Sequence, residues 1–297
     1  MTASPATSSS PASPVDPPEA RPDGDGRSPG LGQLAFAYVA GQTATTRCRA
    51  NAPLKLLTPK RQGDAAWAYA NTFGGGLVAG DHINLELDAG PHTTAVLTTQ
   101  ASTKVFHQQN GIGAKQDLTA TVADHAKLFV LPDPLTCFAD AIYRQTQRFT
   151  LSATSSLLLL DWFTAGRSAS GERWDFAEYR SLNAVSIDGQ EIVFDQTRLT
   201  ADTLAATGPL SVGGYDVLAN VFLVGPAMRE AADELQRWTQ AQPIRDEAGV
   251  ALGFSSTAWG GVLRLAGRDV QTVTDLLRQR LYFTHPWLGG CRWDRKW

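Results

Sequence analysis

The sequence predicts a mainly β fold, as a sandwich, a barrel or a coil-like stack of short strands, with two or more α-helices towards the end. Three observations lead there. Apolar and polar residues alternate with period two up to about residue 220. Turn signals separate the alternating runs at short intervals. Only late in the chain does the apolar spacing change to that of a helix.

Taken in order, the folded part begins near Leu31, where Leu34, Phe36 and Tyr38 alternate with Ala35 and Ala37. Before it, residues 1–30 hold seven of the sixteen Pro, six Ser and no aromatic residue. Such a segment buries too little apolar surface to offset its ordering entropy, so a disordered Ser/Pro-rich tail is expected there, with 31–297 as one domain. Ile83, Leu85 and Leu87 form the next clear alternation, and Leu118, Ala120 and Val122 another. Further β-rich segments are Val96–Thr99, Lys127–Leu131, Tyr143–Leu151, Leu157–Phe163, Tyr179–Ile187 and Glu191–Phe194. The Asp188-Gly189 pair between the last two is a hairpin signal. A helix is expected over Pro226–Gln240, with Met228, Ala231, Ala232, Leu235 and Trp238 on one face. A second is expected over Asp269–Phe283, with Val270, Val273, Leu276, Leu277 and Leu281 on one face, and a strand at Val262–Leu265 between the two. At least two of Trp287, Trp293 and Trp297 are expected to pack. No repeat of 20–50 residues is visible.

Composition narrows the function. The chain has 297 residues, 26 basic and 29 acidic, for a net charge of −3. That balance does not suit capture of a nucleic acid backbone. No apolar run reaches the ~18 residues of a spanning helix, so no membrane partner is expected. The N-terminus has no basic region followed by an apolar one, and three widely spaced Cys argue against a disulfide framework. A cytoplasmic location follows as the expectation.

Motifs for catalysis are largely missing. There is no Gly-x-Ser-x-Gly elbow, no His-Glu-x-x-His and no Cys-x-x-Cys. The most distinctive stretch is Phe73–Asp81 (FGGGLVAGD). It lacks the Gly-Lys-Ser/Thr of a phosphate loop, ends in a carboxylate, and runs into a strand rather than a helix. Its glycines are better explained by positive φ and close backbone approach. If the strand starts at Gly80, Asp81 falls in phase with Ile83 and Leu85 and points to the apolar side, where a carboxylate needs partners or a wet passage. Arg167 and Glu172 sit in one Gly-bounded loop, as material for an internal Arg–carboxylate brace. Asp161, Glu172 and Asp175, near Trp162 and Trp174, leave open a second class. It is a carbohydrate-active enzyme on a β-helix scaffold, using Asp161 and Glu172 as its carboxylate pair.

Several stretches together resemble the urease accessory proteins of the UreD (UreH) family. These are Phe73–Asp81, Leu97–Phe106 (LTTQASTKVF), Ala52–Lys55, Leu131–Pro134 (LPDP) and Gly166–Trp174 (GRSASGERW). Ala79 stands where that family often has another Gly. The resemblance implies an irregular, right-handed β-helix-like stack of short strands with helices near the C-terminal part, and no reaction catalysed by this chain. It implies binding to urease apoprotein and to a UreF-like accessory protein, and through the latter to a UreG-like GTPase. It implies no tightly bound cofactor, but transient nickel(II) on an internal path. Asp81, Asp140, Asp161 and Glu172 are the candidate stepping points, with Cys137 as a softer one. Asp81 and Glu172 are the two that fall in the family's motifs. A path must bind weakly enough to release, which suits sparse single carboxylates.

Overall fold

The computed structural model describes residues 29–60, 63–205, 212, 214–243 and 249–290. Residues 1–28 of the expected tail, Cys291, Trp293 and Trp297 lie outside the described residues, and Gly30, placed at the tail's end, is the first residue of β1.

The chain opens with β1 (Gly30–Val39), β2 (Gln42–Ala50) and β3 (Leu54–Leu57). It then winds. Strands β4 (Ala66–Thr72), β5 (His82–Ala89), β6 (Thr94–Thr98), β7 (Thr103–Val105), β8 (Ala114–Val122), β9 (Lys127–Leu131), β10 (Leu135–Cys137), β11 (Ile142–Leu151), β12 (Ser156–Thr164) and β13 (Glu178–Ile187) follow. Successive long strands alternate between two sheets. β5, β8, β11 and β13 pair in parallel in the first, and β4, β6, β9 and β12 in parallel in the second. Each coil lays one strand on each sheet, and about four coils stack into a β-solenoid-like body. Short β7 and β10 pair with each other beside the end of β12.

Antiparallel strands close the stack. β14 (Gln190–Thr200) returns along β13 through Asp188-Gly189, both at positive φ, as the hairpin signal predicts. After α1 (Ala201–Ala205) come β15 (Val217–Val224), α2 (Arg229–Gln240), β16 (Val250–Thr257), β17 (Gly260–Gly267), α3 (Val270–Arg280) and α4 (His285–Leu288). The first sheet reads β14-β13-β11-β8-β5-β1-β2, and the main path of the second reads β16-β17-β15-β12-β9-β6-β4-β3.

Period two explains the layers. Along β12, Leu157, Leu159 and Phe163 face the first sheet, while Leu158, Leu160 and Trp162 face the helices. All nine β12 residues are buried, and apart from Asp161 and the two end residues, Ser156 and Thr164, the strand is apolar on both faces, as expected for one covered on both sides. Met228, Ala231, Ala232 and Leu235 around α2, and Val273 and Leu277 of α3, supply the outer cover. Asp269 caps α3, accepting the Thr272 N–H at 2.7 Å. The expected helical faces hold except at Val270, which is exposed in the first turn. Trp287 packs in the same outer layer, its ring 5.9 Å from that of Phe129. The winding between sheets is legible in no single alternation, because period two is the same in a hairpin and in a coil.

Candidate functional site

Among the described residues the core between the two sheets is mainly apolar, with a polar patch that spans neighbouring rows around Asp161. Three inward positions of the first sheet are polar in register: Gln116 on β8 beside Gln145 on β11 beside Ser181 on β13. One step along, Gln147 on β11 lies beside Asn183 on β13, and Gln147 Nε2 donates to Asn183 Oδ1 at 2.8 Å. From the second sheet Asp161 points into this polar row. Ser181 Oγ and Asn183 Nδ2 each donate to Asp161 Oδ2 at 2.7 Å, and Gln145 Nε2 donates to Oδ1 at 3.2 Å. The Tyr143 hydroxyl donates to Gln145 Oε1 at 3.1 Å.

Asp161 is only 8% exposed. Burial raises its pKa, and the three donated hydrogen bonds and the nearby Asp195 charge act as smaller opposing and reinforcing effects respectively. Tyr143 and Tyr179 are also raised, chiefly by burial.

A cavity of about 60 Å³ opens against Asp161, Gln145 and Tyr143. It has room for a few water molecules, each needing at least ~10–15 Å³ of centre space. Its wall continues to Thr98, Thr99, Pro132 and Asp133. There Thr99 Oγ1 donates to Asp133 Oδ2 at 3.0 Å, and the Asp133 N–H returns a bond to Thr99 Oγ1 at 2.7 Å. Two of the singled-out motifs, Leu97–Phe106 and Leu131–Pro134, therefore contribute to one wall.

The other expected stepping points lie elsewhere. Gly80 adopts φ +81, which breaks the extended run, and β5 starts only at His82. The assumed strand start at Gly80 is thus corrected. The Asp81 carboxylate folds back on its own loop, accepting the Val78 N–H at 2.9 Å. Glu172 is held by Arg167, whose Nε donates to Oε2 at 2.9 Å and whose Nη2 binds Oε1, while the Ala139 N–H reaches Oε2 at 3.2 Å. The Arg167 hydrogen bonds hold the Glu172 carboxyl below its usual range. The Arg167 guanidinium also lies 4.3 Å from the Phe138 ring centre, so this loop is the expected brace. Asp140 is exposed and accepts from Gln108 Nε2 at 3.0 Å. Cys137 is buried in apolar surroundings, which pushes its thiol pKa up. Among the described residues no three His, Cys, Asp or Glu side chains converge as a metal cluster.

The glycine-rich loop is explained by packing. A Cβ on Gly76 would lie 2.6 Å from Phe106 Cε2 and 2.7 Å from the Lys104 carbonyl oxygen, so the loop lies directly against β7. The Leu77 N–H donates to that same carbonyl at 2.8 Å.

A family model described as UreD urease accessory protein matches residues 28–296. The chain belongs to the UreD family of urease accessory proteins. A UreD urease accessory protein of Anaeromyxobacter sp. is 42% identical over 264 residues, covering 88% of this chain and 87% of that one. One from Sorangium cellulosum is 40% identical, covering 90% of this chain and 84% of its own length. Urease accessory protein D of Arabidopsis thaliana is 33% identical, covering 87% and 97%. A UreD chain has an accessory, chaperone-like role, so this chain is not an enzyme. The carbohydrate-active alternative falls with that, and the geometry agrees. Asp161 is enclosed between the sheets, and Glu172 is neutralised by Arg167. Among the described residues no helix is long and apolar enough to cross a membrane.

Sequence reasoning found Asp161 but missed Gln116, Gln145, Gln147, Ser181 and Asn183. The signal was present as polar residues at inward parity: Tyr143, Gln145, Gln147, Phe149 and Leu151 share one face of β11.

Proposed function

We propose that this UreD-family chain is a non-catalytic scaffold for urease maturation whose inter-sheet chamber passes nickel(II) to urease apoprotein. It acts in a complex with a UreF-like accessory protein and, through it, a UreG-like GTPase, in the cytoplasm. Nickel is its cargo, and no tightly bound cofactor is required.

Asp161 carries the reading. A carboxylate this deep is costly unless it is hydrogen-bonded or used. Here it faces a cavity whose wall mixes apolar side chains such as Leu85, Leu97 and Leu118 with the amides and hydroxyls of Gln116, Gln145, Tyr143 and Thr99. Nickel(II) accepts carboxylate, carbonyl and water oxygens, and a cavity with only Asp161 and, further along its wall, Asp133 as carboxylates holds it loosely. Loose holding is what a route needs. Asp81, Asp140 and Glu172 are engaged away from the cavity wall, and Cys137 is buried in the apolar core away from it, so the reading rests on Asp161 and not on them.

Co-expression with urease and a UreF-like protein, followed by affinity capture of this chain, tests the scaffold. Recovery of both partners supports it, and recovery of neither refutes it. Substitution of Asp161 by Asn in the same system tests the route.

A further inference from the structure

The corner that leads from the end of the first sheet to the start of the second is a stack of β-turns. Three of them close with the same bond. The Thr93 N–H donates to the Gly90 carbonyl at 3.3 Å, the Ala126 N–H to Ala123 at 3.0 Å, and the Ser155 N–H to Ser152 at 3.1 Å. The third residue of these turns is His92, His125 and Thr154 in successive coils. Coil is pinned to coil at this position. The His92 N–H donates to the Asp124 carbonyl at 2.9 Å, and the His125 N–H to Thr154 Oγ1 at 3.1 Å.

Two imidazoles are thereby set side by side. The ring centres of His92 and His125 lie 5.0 Å apart, with their planes within 19°. Turn geometry does not call for imidazole at these places. Both residues hold a left-handed φ, +61 and +57, which Gly and Asn take as readily. Packing does not call for it either, since both side chains are exposed. Next to His125, the exposed Asp124 adds a carboxylate, which favours a cation at this corner. Imidazole nitrogen is a preferred ligand of nickel(II), copper(II) and zinc(II). Such an ion sits ~2 Å from each nitrogen, so two nitrogens that share it are at most ~4 Å apart. Rings this close reach that spacing by turning about the last side-chain torsion, which is broad for His, without moving the pinned backbone.

We propose that His92 and His125 form a two-imidazole clamp for a divalent transition-metal ion such as nickel(II), with water completing the coordination. The clamp is separate from the Asp161 cavity. It sits where β6 and β9 begin, whereas the cavity wall takes Thr98, Thr99, Pro132 and Asp133 from their far ends. It goes beyond the nickel-route reading, because it is a binding property of this chain alone.

Calorimetric titration of the full chain with nickel(II) tests the clamp, with Asp161→Asn as the background so that binding in the cavity is removed. His92→Asn and His125→Asn are the variants, because Asn keeps the left-handed turn and lacks the imidazole. Each should weaken the remaining site at least ~10-fold, and the two together little more than either, since one imidazole alone does not chelate. Unchanged affinity in either single variant, or losses that simply add, overturns the clamp. So does nickel binding that disappears in Asp161→Asn with both His intact, because the ion then sits in the cavity. NMR of the ring signals gives a second reading that needs no variant. Substoichiometric nickel(II) is paramagnetic and should broaden His92 and His125 before His82, His107 and His285, and the reverse order overturns the clamp. The route is read separately, from the nickel content of urease matured with Asp161→Asn, so loss of the clamp leaves the route standing and loss of the route leaves the clamp.

Discussion

Asp161 on β12 and Asn183 on β13 meet across the space between the two sheets, with Asn183 Nδ2 donating to Asp161 Oδ2 at 2.7 Å. With the bonds from Ser181 and Gln145 to the same carboxylate, it joins the layers at the polar patch between them. It makes a buried carboxylate part of the inter-sheet packing instead of a defect in it.

The pH dependence of stability should show that burial. The Asp161 pKa is raised in the fold, so the folded chain takes up its proton more readily than the unfolded one. Its favourable contribution is full below the ordinary carboxylate range, near ~3.9, and is lost as pH rises through the raised folded value. Asp161→Asn does not titrate. Urea midpoints should therefore favour the variant over wild type more at pH 7 than at pH 4. An equal difference at both pH values would contradict this assignment.

Glu172 should behave in the opposite sense. Arg167 lowers its pKa, so the stability it lends is present above the ordinary carboxylate range and lost as pH falls through the lowered value. Glu172→Gln should loosen the Gly166–Trp174 loop, seen as faster proteolysis there, while nickel loading of urease stays at the wild-type level. Loss of nickel with an intact loop would make Glu172 a stepping point after all.

The glycine-rich loop offers a paired comparison. Gly74 has φ +78 with nothing within 4 Å of an added Cβ, so Gly74→Ala adds strain alone, about 1 kcal/mol. Gly76→Ala drives a methyl into Phe106 and the Lys104 carbonyl and should cost more, ~1–3 kcal/mol. Chemical denaturation of the two variants decides the order, and equal losses would count against the packing account.

Much of this fold was legible because period two marks each strand, and Gly-Pro and Asp-Gly mark the turns. The fully buried β12 was legible as an uninterrupted Leu run. The alternation of strands between two sheets was not, because a parallel coil is held by pairings 30 or so residues apart that leave no local pattern. The site was half legible for a related reason. Asp161 stands out as an acid inside an apolar run, but Gln145, Ser181 and Asn183 look like ordinary strand residues until register places them opposite it. Asp81 misled because parity assumes an extended backbone, and Gly80 is not extended.

Leu159 measures the inter-sheet core without touching the polar level. It is 0% exposed, and Leu159→Ala should cost ~2–5 kcal/mol in unfolding free energy. A loss below about 1 kcal/mol would mean the sheets close over the gap and the core is softer than described.

The central claim is that nickel moves past Asp161. Metal analysis of urease purified from cells co-expressing the Asp161→Asn chain addresses it most directly. The account predicts urease assembled with its accessory proteins but markedly depleted in nickel. Urease carrying its full complement of nickel, matured by a folded Asp161→Asn chain, would contradict it.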